Sequence, residues 1–586
     1  MMLPKNRTDC APQALLKEMF SFIYDEQEAG NQRLLDIWAR PLAEKLTSGW
    51  SQGFRRLQKC EDPKTLWAYP DDSESRFREG DLLHLHGGDA LEQPLCGQVS
   101  LEREEDERWL LRGNRVPAVW DQHPGGPCYA DPDGMDLTSY YEDSLRDIAT
   151  SQIGREILLP LLSGDLEICF DDRDVSEGER IALAEGLNAK QAQALGLAYG
   201  AEQIACIQGP PGTGKTLVLA LLARLMAARG ERILMTSHTH MAINNALNKI
   251  HARGVPTVKI GRETQRKGLA DAIRCAPGLD AWTDRPADGG YVVGATPFAT
   301  CNASLKHFEF DAVLFDEASQ ITTPLALMAM RKGRRFILIG DQKQLPPVLL
   351  SRSVLAKDAS SIFVRLTSKE ADHSIMLDET YRMNKWLSGW PSRTYYGGKL
   401  RSAGPNRERR FELARVTPRL AAVFDPAASA VFLPTLDRSA GARNDRDAKL
   451  VVDLCQAAAE AGLPLSEIGV VSPYRAHGRA VRTFLIERFG RTAARQVVAD
   501  TVERMQGQER ELIILSLATG DKVFLGGVAE FFFQPERLNV SITRAKTKLI
   551  VIGPDISHIP KIPDRRVQHW AEQYLDMIGH CRRVTL

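Results

Sequence analysis

The sequence predicts an α/β protein: two parallel sheets wrapped by helices, preceded by a helical region and a small β module. Three observations carry this. An apolar run at Ile204–Ile207 passes through a glycine-rich loop into the helix-length apolar segment Leu217–Leu222. From about residue 180, short buried-strand runs alternate with helical segments. Near residue 430 the alternation starts again, without a second such loop.

In chain order, residues 1–75 read as a helical stalk. Leu34, Trp38, Leu42 and Leu46 fall four apart on one stripe, and Pro41 should interrupt that helix. The region reads as packing, without chemistry. Residues 76–120 read as a small β-barrel-like module. There Leu95, Gly97, Val99 and Leu101 alternate with other residues, and Gly80, Gly87, Gly88 and Gly113 punctuate short segments. The acidic run Glu102–Glu107 reads as a solvated hairpin tip. Residues 121–179 read as a loop to about 140, then as stalk helix through Leu145, Ile148, Ile157, Leu158, Leu161 and Leu162. Residues 180–355 make the first sheet domain, with strand runs Ile233–Met235, Val292–Val293, Val313–Phe315 and Phe336–Ile339. Residues 356–586 make the second, with Ala430–Leu433, Ile468–Val471, Leu512–Leu515 and Leu549–Ile552.

A chain of 586 residues exceeds one compact core. Its formal net charge is zero, so a polyanionic partner needs a local basic groove. No apolar run approaches about 20 residues, so no membrane span is expected, nor does a basic-then-apolar leader open the chain. Ten cysteines lie scattered without a CxxC pair, as reduced thiols of a cytoplasmic protein do. His84-x-His86 and His238-x-His240 lack companions at ligand spacing and read as non-metal.

The chemistry starts at the loop Gly209-Pro210-Pro211-Gly212-Thr213-Gly214-Lys215-Thr216. Glycines let backbone N–H groups curl toward phosphate oxygens, and the following helix adds its positive end. In such a loop Lys215 reaches the β and γ phosphates of ATP, and Thr216 offers a hydroxyl to Mg2+. The run Val313–Phe315 ends in Asp316-Glu317 at the sheet edge that faces the loop. Asp316 is placed to hold Mg2+ through its water shell, and Glu317 to polarise the attacking water. Gln344, after a further strand, could sense the γ-phosphate. The second domain brings arginines, Arg382 after Tyr381 and Arg544 before Ala545. An arginine at the γ-phosphate stabilises transition-state charge and ties cleft closure to the nucleotide.

These motifs resemble those of superfamily 1 helicases of the 5′-to-3′ branch. That branch includes the nonsense-mediated-decay RNA helicase and the helicase part of the eukaryotic replication nuclease-helicase. In family order they are Leu187–Gln191, the phosphate loop, Thr236–Asn245, Gly294–Thr296, Asp316–Gln320, Gly340–Pro347, Thr380–Asn384, Ser472–Arg475, Thr501–Glu509 and Arg537–Ala545. The resemblance implies two RecA-like domains. It implies that Gln191 reads the adenine edge, that Tyr381 stacks on the ring, and that Gly507 and Glu509 lie near ribose and phosphates. Lys215, Thr216, Asp316, Glu317, Gln344, Arg382 and Arg544 keep the roles argued above. Strand contacts would map to His240, Thr296, Pro473, Tyr474 and Thr501, a set suited to binding without sequence choice. His240, Asn244 and His477 depart from the usual pattern.

The expected activity is ATP-dependent 5′-to-3′ movement on single-stranded nucleic acid, DNA in preference to RNA, with Mg2+. An RNA helicase and an ATP-gated clamp that recruits a partner are the alternatives. A nuclease is one such partner, and no membrane is expected. Phe531-Phe532-Phe533 reads as core packing, with a strand-splitting wedge as the other reading.

Overall fold

Apolar residues on both faces make the central strands of the chain fully buried, and they assemble two parallel sheets. The computed structural model describes residues 10–586 apart from 72–74, 106, 115, 117–126, 352–359, 369–370, 436, 506 and 557–561. The first sheet runs in the order Arg274–Ala276, Thr257–Ile260, Tyr291–Gly294, Arg232–Thr236, Phe310–Phe315, Gly333–Gly340, Ile204–Gln208, Ser374–Met376. All its pairings are parallel. Three neighbouring strands, Phe310–Phe315, Gly333–Gly340 and Ile204–Gln208, therefore deliver Asp316-Glu317, Gln344 and the phosphate loop to one edge.

The second sheet, also parallel, runs Val498–Thr501, Ile468–Ser472, Arg510–Ser516, Ala545–Gly553, Ala430–Pro434, Arg582–Arg583. The α/β class with two RecA-like sheets, a helical stalk and a small barrel is what the structure contains. The expected boundary at residue 355 lies outside the described residues. Strand Ser374–Met376 pairs with Ile204–Gln208, so the first sheet reaches past it. The strand is short and only half-buried, and its membership rests on a long-range pairing that leaves no local pattern.

The barrel differs from its expected limits. It closes in the order Gln52–Lys59, Thr65–Pro70, Trp109–Arg112, Pro94–Glu104, Leu82–His86, Cys128–Pro132. It therefore begins before residue 76 and ends beyond 120. Arg55-Arg56 and Gln58-Lys59 hide the alternation of the first strand, and closure requires that strand to pair with both Thr65–Pro70 and Cys128–Pro132. Of the loop expected over 121–140, Cys128–Pro132 is a strand and a helix starts at Thr138, while 121–126 lie outside the described residues. Of the acidic run, Asp106 lies outside them.

Two helices, Cys10–Trp38 and Leu42–Ser48, form the first part of the stalk, with the break at Pro41. Met19, Phe22 and Ile23 pack with Leu145, Ile148 and Leu158 and continue into the core behind Phe315 and Leu338. The stalk is thus part of the first domain's hydrophobic core. Each such buried side chain contributes about 1.5–3 kcal/mol. The barrel hangs from the stalk through polar contacts. Trp38 Nε1 donates to Pro132 O at 2.8 Å, and the fully buried Lys45 pairs with Asp131 at 2.5 Å. His86 Nε2 lies 3.1 Å from the same carboxylate, which also accepts from Ser51 Oγ.

Burial opposes ionisation of Asp131, but His86, Lys45 and Ser51 outweigh it and hold the carboxyl below its usual range. A lowered folded value gives stability that is present above the unfolded value, about 3.9, and is lost as pH falls through the folded one. Asp131→Ala strands a buried ammonium and should cost about 3–5 kcal/mol in denaturant unfolding at neutral pH. The gap between variant and wild type should narrow below about pH 4.

Candidate functional site

The cleft is built from turns that the sequence enforces. Gly212 and Gly214 sit at φ +74° and +81°, where side chains are strained. A Cβ on Gly212 would lie 2.4 Å from Arg382 Cβ, so the loop packs directly against the arginine-bearing segment. Lys215 opens the helix Lys215–Ala228, and its Nζ donates to Gly209 O at 2.6 Å, inside the curl of its own loop. Thr216 follows it on the helix. Thr380 Oγ1 donates to Pro211 O at 2.8 Å and Tyr381 N to Gly212 O at 2.9 Å.

Gln191 caps helix Ala189–Gly200 in a reciprocal box with Asn188. Its Oε1 accepts from Asn188 N at 3.1 Å, and its Nε2 donates to Thr213 O at 2.9 Å. These two bonds use one N–H and one lone pair of the buried amide. Asn188 Nδ2 donates to Tyr381 OH at 2.8 Å, which sets the half-exposed Tyr381 ring beside the same cap. Gln191, the phosphate loop and Tyr381 are thus brought together.

Asp316 is buried, and burial, then repulsion from Glu317, raises its pKa, while Lys215 pulls the other way. Glu317 takes φ +53°, a left-handed backbone rare for a side-chain-bearing residue. Such strain collects at functional positions. A buried carboxylate beside a second one is relieved by a cation, so the pair fits Mg2+. Among the described residues no group of three or more His, Cys, Asp or Glu could hold a metal alone.

The second domain reaches this edge with two arginines. Arg544, 2 % exposed, ends the turn after helix Pro535–Ile542. Its Nη2 donates to Gln344 Oε1 at 3.1 Å and its Nε to Val540 O at 3.0 Å. Burial, then the neighbouring Arg382 cation, lowers it to about 9, with Glu317, Tyr396 and Glu509 opposing. It stays cationic at neutral pH. Arg382 Nε donates to Glu509 Oε2 at 2.7 Å and Nη1 to Thr543 O at 3.1 Å. Glu509 is consequently held below its usual range, although burial opposes this. Gly507 stands exposed at φ +75° just before.

A buried network beneath these groups carries no motif signal strong enough to find it. Asp341 accepts from Gln344 Nε2 at 2.9 Å, Tyr396 OH at 2.8 Å and Gln208 Nε2 at 3.3 Å. Asn539 Nδ2 crosses from the second domain to Lys343 O at 2.7 Å and also donates, within its own domain, to Tyr396 OH at 2.9 Å. Asp341 and Asn539 lie inside recognisable stretches, whereas Tyr396 lies in none.

The strand-contact residues divide between the sheets. His240 and Thr296 follow the adjacent strands Arg232–Thr236 and Tyr291–Gly294 of the first. Pro473, Tyr474 and Thr501 end the adjacent strands Ile468–Ser472 and Val498–Thr501 of the second. Burial, then Lys259, lowers His240 to about 4, so it is neutral. Thr296 Oγ1 accepts from Ala299 N at 3.3 Å as a helix cap and keeps its own proton to donate. Tyr474 packs on Phe524 and Phe531, with its OH accepting from Thr519. Thr501 is 5 % exposed and offers little surface.

Two of the three departures from the usual pattern, Asn244 and His477, have structural roles. Asn244 Nδ2 donates to Gln265 O and Lys267 O, both at 3.0 Å. Buried His477 bridges Asn444 N and Ser516 Oγ. Phe532 and Phe533 pack on Tyr574 in the core, and Phe531 alone is exposed.

Two family models, each described as an AAA domain, match residues 186–388 and 359–555. The chain is 31 % identical over 413 residues to the mouse (Mus musculus) DNA replication ATP-dependent helicase/nuclease DNA2. It is 29 % identical over 422 residues to the Homo sapiens protein of that name and 28 % over 463 to that of Saccharomyces cerevisiae. These alignments take in 65 %, 65 % and 73 % of this chain but 38 %, 38 % and 30 % of the relatives, so the chain spans less than two fifths of their length. Among solved structures it is similar to the arterivirus nonstructural protein 10 helicase (TM-score 0.38, 13 % identity, 84 % of this chain and 77 % of that one). The same helicase in complex with DNA gives TM-score 0.37 at 13 % identity over 81 % and 78 %. The sequence likeness is to superfamily 1 helicases of the DNA2 type.

Asn539→Ala removes the donor to Lys343 O across the cleft and to Tyr396 OH beside it. It should cost about 1–3 kcal/mol, the desolvation penalty of the acceptors left behind, read as a lower denaturant midpoint.

Proposed function

We propose that this chain, similar over most of its length to DNA2-type helicases, is a nucleic-acid-stimulated ATP hydrolase that moves 5′ to 3′ along single-stranded DNA and separates duplexes. The reading rests above all on one contact, Arg544 hydrogen-bonded to Gln344 across the two sheets. Through it one domain cradles the triphosphate while the other supplies its cationic sensors.

Gln191 and Tyr381 hold the base, and the loop Gly209–Thr216 holds the phosphates. Lys215 neutralises the β and γ oxygens. Thr216 and Asp316 would hold Mg2+, which would supply positive charge against the charge that develops on the phosphates. Glu317 orients the attacking water and takes its proton. Gln344, Arg382 and Arg544 sense the γ-phosphate, and Gly507 and Glu509 border the ribose and phosphates, with Glu509 orienting Arg382. When that phosphate leaves, the arginines lose their anion and the cleft opens. His240 and Thr296 on one sheet edge, with Pro473, Tyr474 and Thr501 on the other, grip the strand alternately and convert closure into steps.

Cys206, Cys455 and Cys581 are buried thiols, which accords with action in the cytoplasm. No described helix is long and apolar enough to cross a membrane. The relatives' name joins a nuclease to the helicase, and a nuclease acting in trans is the partner class this chain would serve.

Lys215→Ala should abolish ATP turnover. Glu317→Gln should keep nucleotide binding and lower hydrolysis by about 10²–10⁴-fold, as for loss of a general base; normal turnover by either variant refutes the roles given. On tailed duplexes, unwinding should require a 5′ single-stranded tail, with DNA strands stimulating ATPase more than matched RNA. Strand-stimulated turnover without unwinding would favour a clamp instead.

A further inference from the structure

The loop that follows strand Gly333–Gly340 is held at both ends. Near its start, Gln344 accepts from Arg544. At its far end, Leu350 N and Ser351 N donate to the carboxylate of Glu26, at 2.9 Å and 2.8 Å. The Ser351 hydroxyl donates to it as well. A carboxylate that accepts two backbone N–H groups and a hydroxyl makes a charge-assisted clamp. Between the two ends lie Pro346 and Pro347, whose fixed φ angles make the connection stiff.

Glu26 belongs to the stalk helix Cys10–Trp38, which the sequence assigns to packing alone. The helix is seated on the first domain by Met19, Phe22 and Ile23, and Glu18 accepts from Arg365 Nη1 at 3.5 Å. Its other end carries the barrel through Trp38. From Glu26 to Trp38 the helix spans about 18 Å at 1.5 Å per residue. A cavity of about 390 Å³ lies against the clamp, lined in part by Phe22, Glu26, Tyr141, Gln320, Pro347 and Leu350. This space opens to solvent beside the exposed Val348, and it leaves the loop room for a second position without displacing the core.

We propose that Glu26 is the positioning residue that couples the nucleotide cleft to the stalk. It ties the Gln344–Ser351 loop to helix Cys10–Trp38, so that movement of Gln344 and Arg544 with the γ-phosphate reaches the barrel. In reverse, a strand that engages the barrel presses the loop into its hydrolysis-competent position. The proposal rests on the helicase reading, and the wild-type arm of its test keeps the two apart.

The test compares the full chain with Glu26→Ala and Glu26→Gln. ATP turnover is measured with and without single-stranded DNA, beside unwinding of a 5′-tailed duplex and amide exchange at Leu350 and Ser351. For Glu26→Ala, strand-free kcat and KM for ATP should stay within about twofold of wild type, while strand-stimulated kcat and unwinding fall about tenfold. The Leu350 and Ser351 amides should exchange at least about tenfold faster. Glu26→Gln keeps one carbonyl acceptor and should fall between. Wild-type strand stimulation in Glu26→Ala overturns the proposal. So does an equal fall of strand-free and stimulated turnover, which marks a merely structural role. A wild-type chain that strands do not stimulate sinks the helicase reading itself, and the coupling role with it.

Discussion

Two guanidinium groups and an ammonium face one interdomain cleft, and the rest of the structure accommodates that arrangement. Removing a cation from water costs several kcal/mol unless partners replace the lost hydration. Arg544 meets that cost with the Gln344 amide and the Val540 carbonyl, and Arg382 with Glu509 and the Thr543 carbonyl. Lys215 rests on the Gly209 carbonyl of its own loop. Most of these partners are neutral dipoles, which solvate the cations without neutralising them. Asp316 and Asp341 lie at the same edge, where Lys215 offsets their charge.

This arrangement explains why the buried network beneath the cleft is so dense. Asp341 cannot reach solvent, and burial raises its pKa against the pull of Lys215. Its acceptors are satisfied by Gln344, Gln208 and, from the other domain, Tyr396, whose hydroxyl is held in turn by Asn539 of its own domain. A hydrogen-bond chain therefore runs from one sheet to the other alongside the arginines. Connected networks of this kind have few alternative arrangements, which suits a cleft held in one register.

The stalk and barrel are organised by a different force at each end. Apolar burial joins the stalk to the first domain, where Phe22 and Ile23 enter the core that backs Phe315. Directional polar contacts join stalk to barrel, through Lys45, Asp131 and Trp38. Hydrophobic packing fixes the first joint broadly, and the ion pair fixes the angle of the second. Charges elsewhere on the surface are matched locally. The basic stretch after Lys399 illustrates this: Arg401 pairs with Asp378, Arg409 with Glu511, and Arg410 lies over Trp386.

The sequence by itself determined both parallel sheets, the phosphate loop, the acidic pair and the identity of the two arginines. Those features depend on local order, because an apolar run followed by Gly-rich turn and helix can fold in few ways. Only the tertiary structure decided the barrel's limits, since Gln52–Lys59 and Cys128–Pro132 become strands by pairing with each other. The same holds for Ser374–Met376, which extends the first sheet past its expected end, and for Tyr396, Asn539 and Glu26. Their partners lie far away in the chain. A hydrogen bond between distant residues leaves no periodicity behind, so long-range pairing and burial are where sequence patterns stop being informative.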